Sequence, residues 1–325
     1  MPARPRITLV TPALADANNG NWQTAARWAR LLAPVARVGL SARWTGGDEA
    51  LMIALHARRS APSIAAWRAA HPARPLVVVL TGTDLYRDID HDADAQRSLA
   101  LADALVVLNA CGAERLPPAL RPRTVVVLQS CPARRPVAKT GRHLRVLMAG
   151  HLRDEKDPRS FFAAARLLAG REDILFDHLG GALDPALEAE ARRTMADCPR
   201  YRWLGAVPHA EARRRIQAAH VLVNASRMEG GAQVVIEAMR SGTAVLASRI
   251  DGHRGLLDDG YPGFFEPGDA EGLADRVRAC RDDAAMLTAL ETWGTERAPR
   301  HDPAREAAAL QQLVHRLLGH PAATT

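Results

Sequence analysis

The stretch of this chain best equipped for chemistry runs from Asn224 to Ser248, N-A-S-R-M-E-G-G-A-Q-V-V-I-E-A-M-R-S-G-T-A-V-L-A-S. It reads as a strand end, a loop holding Glu229, Gly230 and Gly231, a helix holding Glu237, a turn and a second buried strand. A glycine pair entering a helix leaves backbone N–H groups for an anion, and the helix dipole favours negative charge there. On one continuous helix the two carboxylates would lie about 12 Å apart along the axis. With Glu229 still in the loop, the chain can fold back so that both edge one site. A phosphate flanked by hydroxyls, as in a nucleotide sugar, fits that pattern. An ordinary βαβ turn with solvated glutamates fits it as well.

Three other clusters carry reactive side chains. Arg153 and Lys156 follow the strand Leu144 to Met148, where their charges meet a diphosphate or form a solvated turn. His56, Arg58 and Arg59 follow the run Leu51 to Leu55, and Thr81-Gly82-Thr83-Asp84-Leu85-Tyr86-Arg87-Asp88 follows Leu76 to Leu80. Two arginines beside a histidine suit a phosphate-bearing acceptor. His56 and Asp84 suit acid/base work, or capping and structure. A fourth cluster, Asp16, Asn18, Asn19, Gly20 and Asn21, lies between the first strand and first helix. Its asparagines serve as sugar contacts or as turn formers. No G-x-G-x-x-G fingerprint is present.

The elements that must position these groups alternate strand and helix, which predicts parallel sheets built from βαβ units. All the clusters sit after the carboxyl ends of strands, where open α/β sheets bind ligands. Further strands are expected at Ile7 to Val10, Ala104 to Leu108, Thr124 to Leu128, Ile174 to Leu179, Tyr201 to Leu204, Val221 to Val223 and Gly263 to Glu266. Helices are expected near 269–280, 284–296 and from Pro303 to Leu318. The stretch Cys131 to His143, C-P-A-R-R-P-V-A-K-T-G-R-H, has no apolar period and reads as a linker.

With 325 residues, 47% hydrophobic and 24% charged, the chain is long enough for two cores. Cys111, Cys131, Cys198 and Cys280 are scattered, so neither a zinc site nor a disulfide framework is indicated. No apolar run has the length of a membrane span and the start lacks a signal-peptide core, so the cytoplasm is the expected compartment. The net charge of +7 suits a nucleic-acid binder or a basic cleft for anionic small molecules. The arginines do not alternate with aromatics, which favours the cleft; no nucleic-acid and no membrane partner is expected.

The segments G-x-L-x-x-E-K at Gly150 to Lys156, L-G-A-V-P-H at Leu204 to His209 and S-x-x-E-G-x(6)-E-A-M-x-S-G at Ser226 to Gly242 resemble family 4 glycosyltransferases. The resemblance implies the GT-B architecture, two Rossmann-like doubly wound parallel-sheet domains facing across a cleft. It implies an acceptor domain over 1–135, a donor domain over 136–298, a helix of about 300–320 returning to the first, and a hinge in 131–142. In that family the basic pair holds the donor diphosphate, the first glutamate touches the sugar and the second the ribose. These carry over to Lys156, Glu229 and Glu237. The family's arginine after the glycine is His151 here, so Arg153 is assigned its charge.

The N-terminal segments N-N-G-N-W-Q-T-A-x-R-W, A-L-H-A-R-R-S and L-T-G-T-D-L-Y-R-D resemble selenosugar synthases of selenoneine biosynthesis, at similar length. This implies a UDP-sugar donor, UDP-N-acetylglucosamine or UDP-glucose, and selenophosphate as acceptor. No metal or other cofactor is expected. His56, Arg153, Lys156 and Glu229 are assigned to catalysis. Gly20, Asn21, Val207, Gly230, Gly231, Ala232 and Glu237 are assigned to the donor, and Asn19, Arg58, Asp84 and Arg87 to the acceptor. The competing readings are a hexosyltransferase with an alcohol acceptor, which needs Asp84 or His56 as base, and a nucleotide-sugar or RNA-binding protein without turnover.

Overall fold

The computed structural model describes residues 4–14 and 20–319, so Asp16, Asn18 and Asn19 lie outside the described residues. The chain forms two compact units, Met1–Ser130 with Asp302–Thr325, and Cys131–His301.

The first unit holds β1 (Arg6–Val10), β2 (Arg37–Ser41), β3 (Leu51–Leu55), β4 (Leu76–Leu80), β5 (Ala104–Val107) and β6 (Thr124–Val126). They form a parallel sheet in the order β2-β1-β3-β4-β5-β6. β3 and β4 are apolar at every position and fully buried, as strands covered on both faces must be. Alternate side chains enter two cores. Leu51, Ile53, Val77 and Val79 pack with Trp28, Leu32, Leu310 and Leu313 on one face. Met52, Ala54, Val78 and Leu80 pack with Ile64, Trp67 and Leu99 on the other.

β2 is absent from the sequence reading. Its residues Arg-Val-Gly-Leu-Ser are half-exposed at the sheet edge, so no buried apolar run marks it. The helix Pro303–Leu317 belongs to the first unit. Glu306, 2% exposed, accepts hydrogen bonds there from Arg27 Nε (2.9 Å), Trp28 Nε1 (2.7 Å) and Ser130 N (2.9 Å).

The second unit holds β7 (Leu144–Ala149), β8 (Ile174–Leu179), β9 (Tyr201–Trp203), β10 (Val221–Asn224), β11 (Ala244–Ser248) and β12 (Phe264–Phe265). Their parallel order is β12-β11-β10-β7-β8-β9. An edge-to-face cluster of Phe161, Phe162, Phe176, His178 and Tyr201 fills one part of its core. The units divide after Ser130 and after His301, whereas the sequence reading put its boundaries after residues 135 and 298. Hydrogen bonds give the reason: Gln129 reaches Thr24 and Ser130 reaches Glu306, while Cys131 N donates to His301 O and Arg134 N to Arg240 O. The expected linker is also tied down within the second unit, Lys139 Nζ by Gly242 O and Glu291, and Thr140 O by His220.

Each sheet has one point where the strand order reverses, between β1 and β3 in the first unit and between β7 and β10 in the second. Loops on either side of such a point part company at the carboxyl ends of the strands and leave a crevice. The assigned side chains that follow β3, β7 and β10 all lie at these two reversals.

Candidate functional site

In the second unit the loop after β7 meets the loop after β10. Lys156 Nζ donates to Glu229 Oε1, which also accepts from Ser226 Oγ (2.7 Å) and Asn224 Nδ2 (3.3 Å). All three donors use Oε1, which leaves Oε2 as the acceptor for a further hydroxyl. Arg227 N donates to Glu155 O (2.9 Å), so backbone as well as charge joins the loops. Burial pushes the Glu229 carboxyl up, but Lys156, the nearby His253 and the bond from Ser226 overcome it and hold the group at about 2.

Two glycines make these contacts possible. A Cβ on Gly252 would sit 2.1 Å from the Glu229 carbonyl oxygen, so only glycine lets the helix Asp251–Leu257 approach. Gly180, at φ +139°, lies equally close to the loop after β7: a Cβ there would be 2.0 Å from Gly150 O. His151 accepts from Gly181 N (3.1 Å) and so braces this loop.

Arg153 differs from its neighbours. It is half-buried, its Nε is buried without a hydrogen-bond partner, and no carboxylate pairs with it among the described residues. Glu237, 2% exposed on the helix Gln233–Met239, receives His209 Nε2 at 2.8 Å. The two glutamates therefore have separate partners. Gly230 and Gly231 are buried, and Ala232 at the helix start has φ 38°, a left-handed conformation costing roughly 1–2 kcal/mol for a residue with a Cβ. Strain of that kind collects at ligand sites. Val207 is half-buried in the loop before the helix His209–Ala218. His253 donates from Nδ1 to Ser248 O (2.7 Å), and burial holds it below the ordinary imidazole range.

In the first unit His56 stands directly after β3 with φ 72° and is 1% exposed. Its Nε2 lies 3.1 Å from Thr83 Oγ1, and its ring is 3.8 Å from Asp84 and 4.0 Å from Asp88. Burial lowers its pKa against the pull of Asp84, so the ring is neutral at pH 7. Asp84 is fully buried and accepts from Ala57 N (2.9 Å), Thr81 N (2.8 Å) and Gly82 N (2.9 Å). Its oxygens thus clamp the loop after β3 to the loop after β4. Asp88 bridges Arg58 (2.8 Å) and Arg87 (3.1 Å). Gly20 opens the helix Gly20–Leu32 and is exposed, with Asn21 half-buried beside it. Asn19 lies outside the described residues.

Asp88, Ser226, Asn224, His209 and His253 had no role in the sequence reading. Asp88 is detectable as the second carboxylate four residues after Asp84 on a helical turn. Nothing in the sequence marks Asn224 or His253 for Glu229, because the contacts join separate elements. No helix among the described residues is long and apolar enough to cross a membrane.

Residues 143–283 match the family described as "Glycosyl transferases group 1". A phosphatidyl-myo-inositol mannosyltransferase of Mycolicibacterium smegmatis is 32% identical over 87 residues, 26% of this chain; the aligned stretch spans 22% of that relative. Among solved structures, a sucrose-phosphate synthase from Thermosynechococcus elongatus superposes with a TM-score of 0.78 at 18% identity, covering 97% of this chain and 100% of that one. HepE of Anabaena in complex with UDP-glucose gives 0.78 at 13% identity, covering 96% and 100%. These likenesses establish the two-sheet GT-B fold expected from the sequence motifs.

Proposed function

With residues 143–283 taken as a group 1 glycosyl transferase domain in a GT-B chain, we propose that the protein is a glycosyltransferase. It moves the sugar of a UDP-sugar, UDP-N-acetylglucosamine or UDP-glucose, onto the selenium of selenophosphate and releases UDP. The observation that carries the donor half is Arg153. A guanidinium half-buried at the sheet reversal with a buried, unpartnered Nε is poised for an anion, and Lys156 shares its loop. The two cations, with the Gly230–Ala232 turn, stabilise the departing diphosphate. Glu229 Oε2 accepts a sugar hydroxyl, Glu237 holds the ribose, and Val207 lines the donor.

On the acceptor side His56, Arg58 and Arg87 hold the phosphate. Selenium is already anionic and soft, so attack needs no general base, which agrees with an Asp84 committed to backbone N–H groups. The selenium lone pair forms the C–Se bond at the anomeric carbon while the C–O bond to the β-phosphate breaks, its electron pair leaving with UDP. The first product keeps the P–Se bond, and its cleavage by water yields phosphate and the selenosugar. The test of the acceptor assignment is Arg58→Ala: the KM for selenophosphate rises and that for the UDP-sugar does not. An unchanged selenophosphate KM sinks it.

A further inference from the structure

Asp88 joins the two arginines of the acceptor cluster, and nothing in the reaction described so far uses it. It is 6% exposed. Its Oδ2 accepts from Arg58 Nε at 2.8 Å and its Oδ1 from Arg87 Nε at 3.1 Å. The arginines come from different loops, after β3 and after β4, and their side chains stay 39% and 45% exposed. Each guanidinium is thus gripped at its Nε edge.

The support beneath Asp88 is rigid. Asp84–Asp88 is a π-type turn in which Ile89 N donates to Asp84 O, five residues back. Such turns recur at functional sites. The turn begins at Asp84, whose carboxylate is pinned by three backbone N–H groups. The desolvation that would raise the Asp88 carboxyl is overcome by Arg58 and Arg87, so it stays ionised and offsets the repulsion between them.

We propose that Asp88 is a positioning residue that sets Arg58 and Arg87 as one fork for a tetrahedral oxyanion; this rests on the acceptor reading above. The guanidinium is the side chain suited to it, because its planar N–H groups match two oxygens of such an anion at once. Asp88 touches no substrate. It acts by holding two like charges close enough to share one ligand.

The test uses the full chain and its Asp88→Asn, Asp88→Glu and Arg58→Lys variants. Readouts are the KM for selenophosphate, the KM for the UDP-sugar, and binding of inorganic phosphate by calorimetry. Asp88→Asn raises the selenophosphate KM and weakens phosphate binding by about tenfold or more, the scale of one charged hydrogen bond, and leaves the UDP-sugar KM in place. Asp88→Glu recovers part of the loss. Arg58→Lys keeps the charge, lacks the Nε grip, and shows the same split. A purely structural bridge moves the melting temperature and both KM values together, which overturns the proposal. If Asp88→Asn does not fold, an unchanged acceptor KM in Arg58→Lys overturns it instead. Should the wild type release no UDP with selenophosphate, yet bind phosphate in a way Asp88→Asn abolishes, the fork stands and the acceptor reading fails. Should selenophosphate be used with an unchanged KM in Asp88→Asn, the fork fails and that reading stands.

Discussion

Replacing Lys156 with Met should turn one buried ion pair into a measurable reversal of pH dependence. A carboxyl held at about 2 instead of its ordinary 4.5 contributes roughly 3 kcal/mol to folding by proton linkage. The folded-state value is depressed, so this stability is present above pH 4.5 and is lost as pH falls towards 2. Lys156→Met leaves Glu229, 11% exposed, with no ammonium, and burial then governs its titration. Removing one partner of a buried pair costs about 3–5 kcal/mol. The variant is therefore destabilised at pH 7 and recovers stability on acidification towards pH 5, where wild type is flat. Lys156→Met/Glu229→Gln regains most of the loss, giving a coupling of about 2–3 kcal/mol. Hydrogen exchange by mass spectrometry on peptides covering 144–157 and 221–239 reads the second unit apart from the first. Additive single variants, or a Lys156→Met pH profile parallel to wild type, would refute the reasoning.

Other perturbations separate structure from ligand. Arg153→Ala removes a side chain with no carboxylate partner among the described residues, so the melting temperature holds while UDP affinity falls about tenfold or more, by calorimetry. Glu306→Ala strands Arg27, Trp28 and Ser130 in the first unit and lowers its stability by about 3–5 kcal/mol in urea unfolding, without touching UDP affinity. Gly180→Ala places a Cβ 2.0 Å from Gly150 O at φ +139°, which destabilises the second unit by about 1–3 kcal/mol. It also displaces Arg153 and Lys156, so UDP binding weakens with it.

The fold was legible because its central strands are unbroken apolar runs between polar loops, as in Leu51–Leu55 and Leu76–Leu80. Edge strand β2 was not, since an edge needs only half its residues buried. The loops after β7 and β10 could be singled out from residue spacing, with Glu229 and Lys156 both at the reversal between these strands. Their pairing with each other could not, because it is set by two loops 73 residues apart meeting across strands. The partners of Asp84 could not be read either. A carboxylate after a strand looks the same in sequence whether it faces a ligand or three backbone N–H groups. The boundary at Ser130–Cys131 was hidden for a similar reason: adjacent residues bond to different cores.

The central claim is transfer from a UDP-sugar to selenium, and one incubation addresses it. The full chain is given UDP-N-acetylglucosamine or UDP-glucose, with and without selenophosphate, and UDP release is followed alongside the mass of the sugar product. The account predicts UDP release that depends on selenophosphate and a product carrying selenium on the sugar. Release with an alcohol acceptor alone, or none when selenophosphate is added, contradicts it.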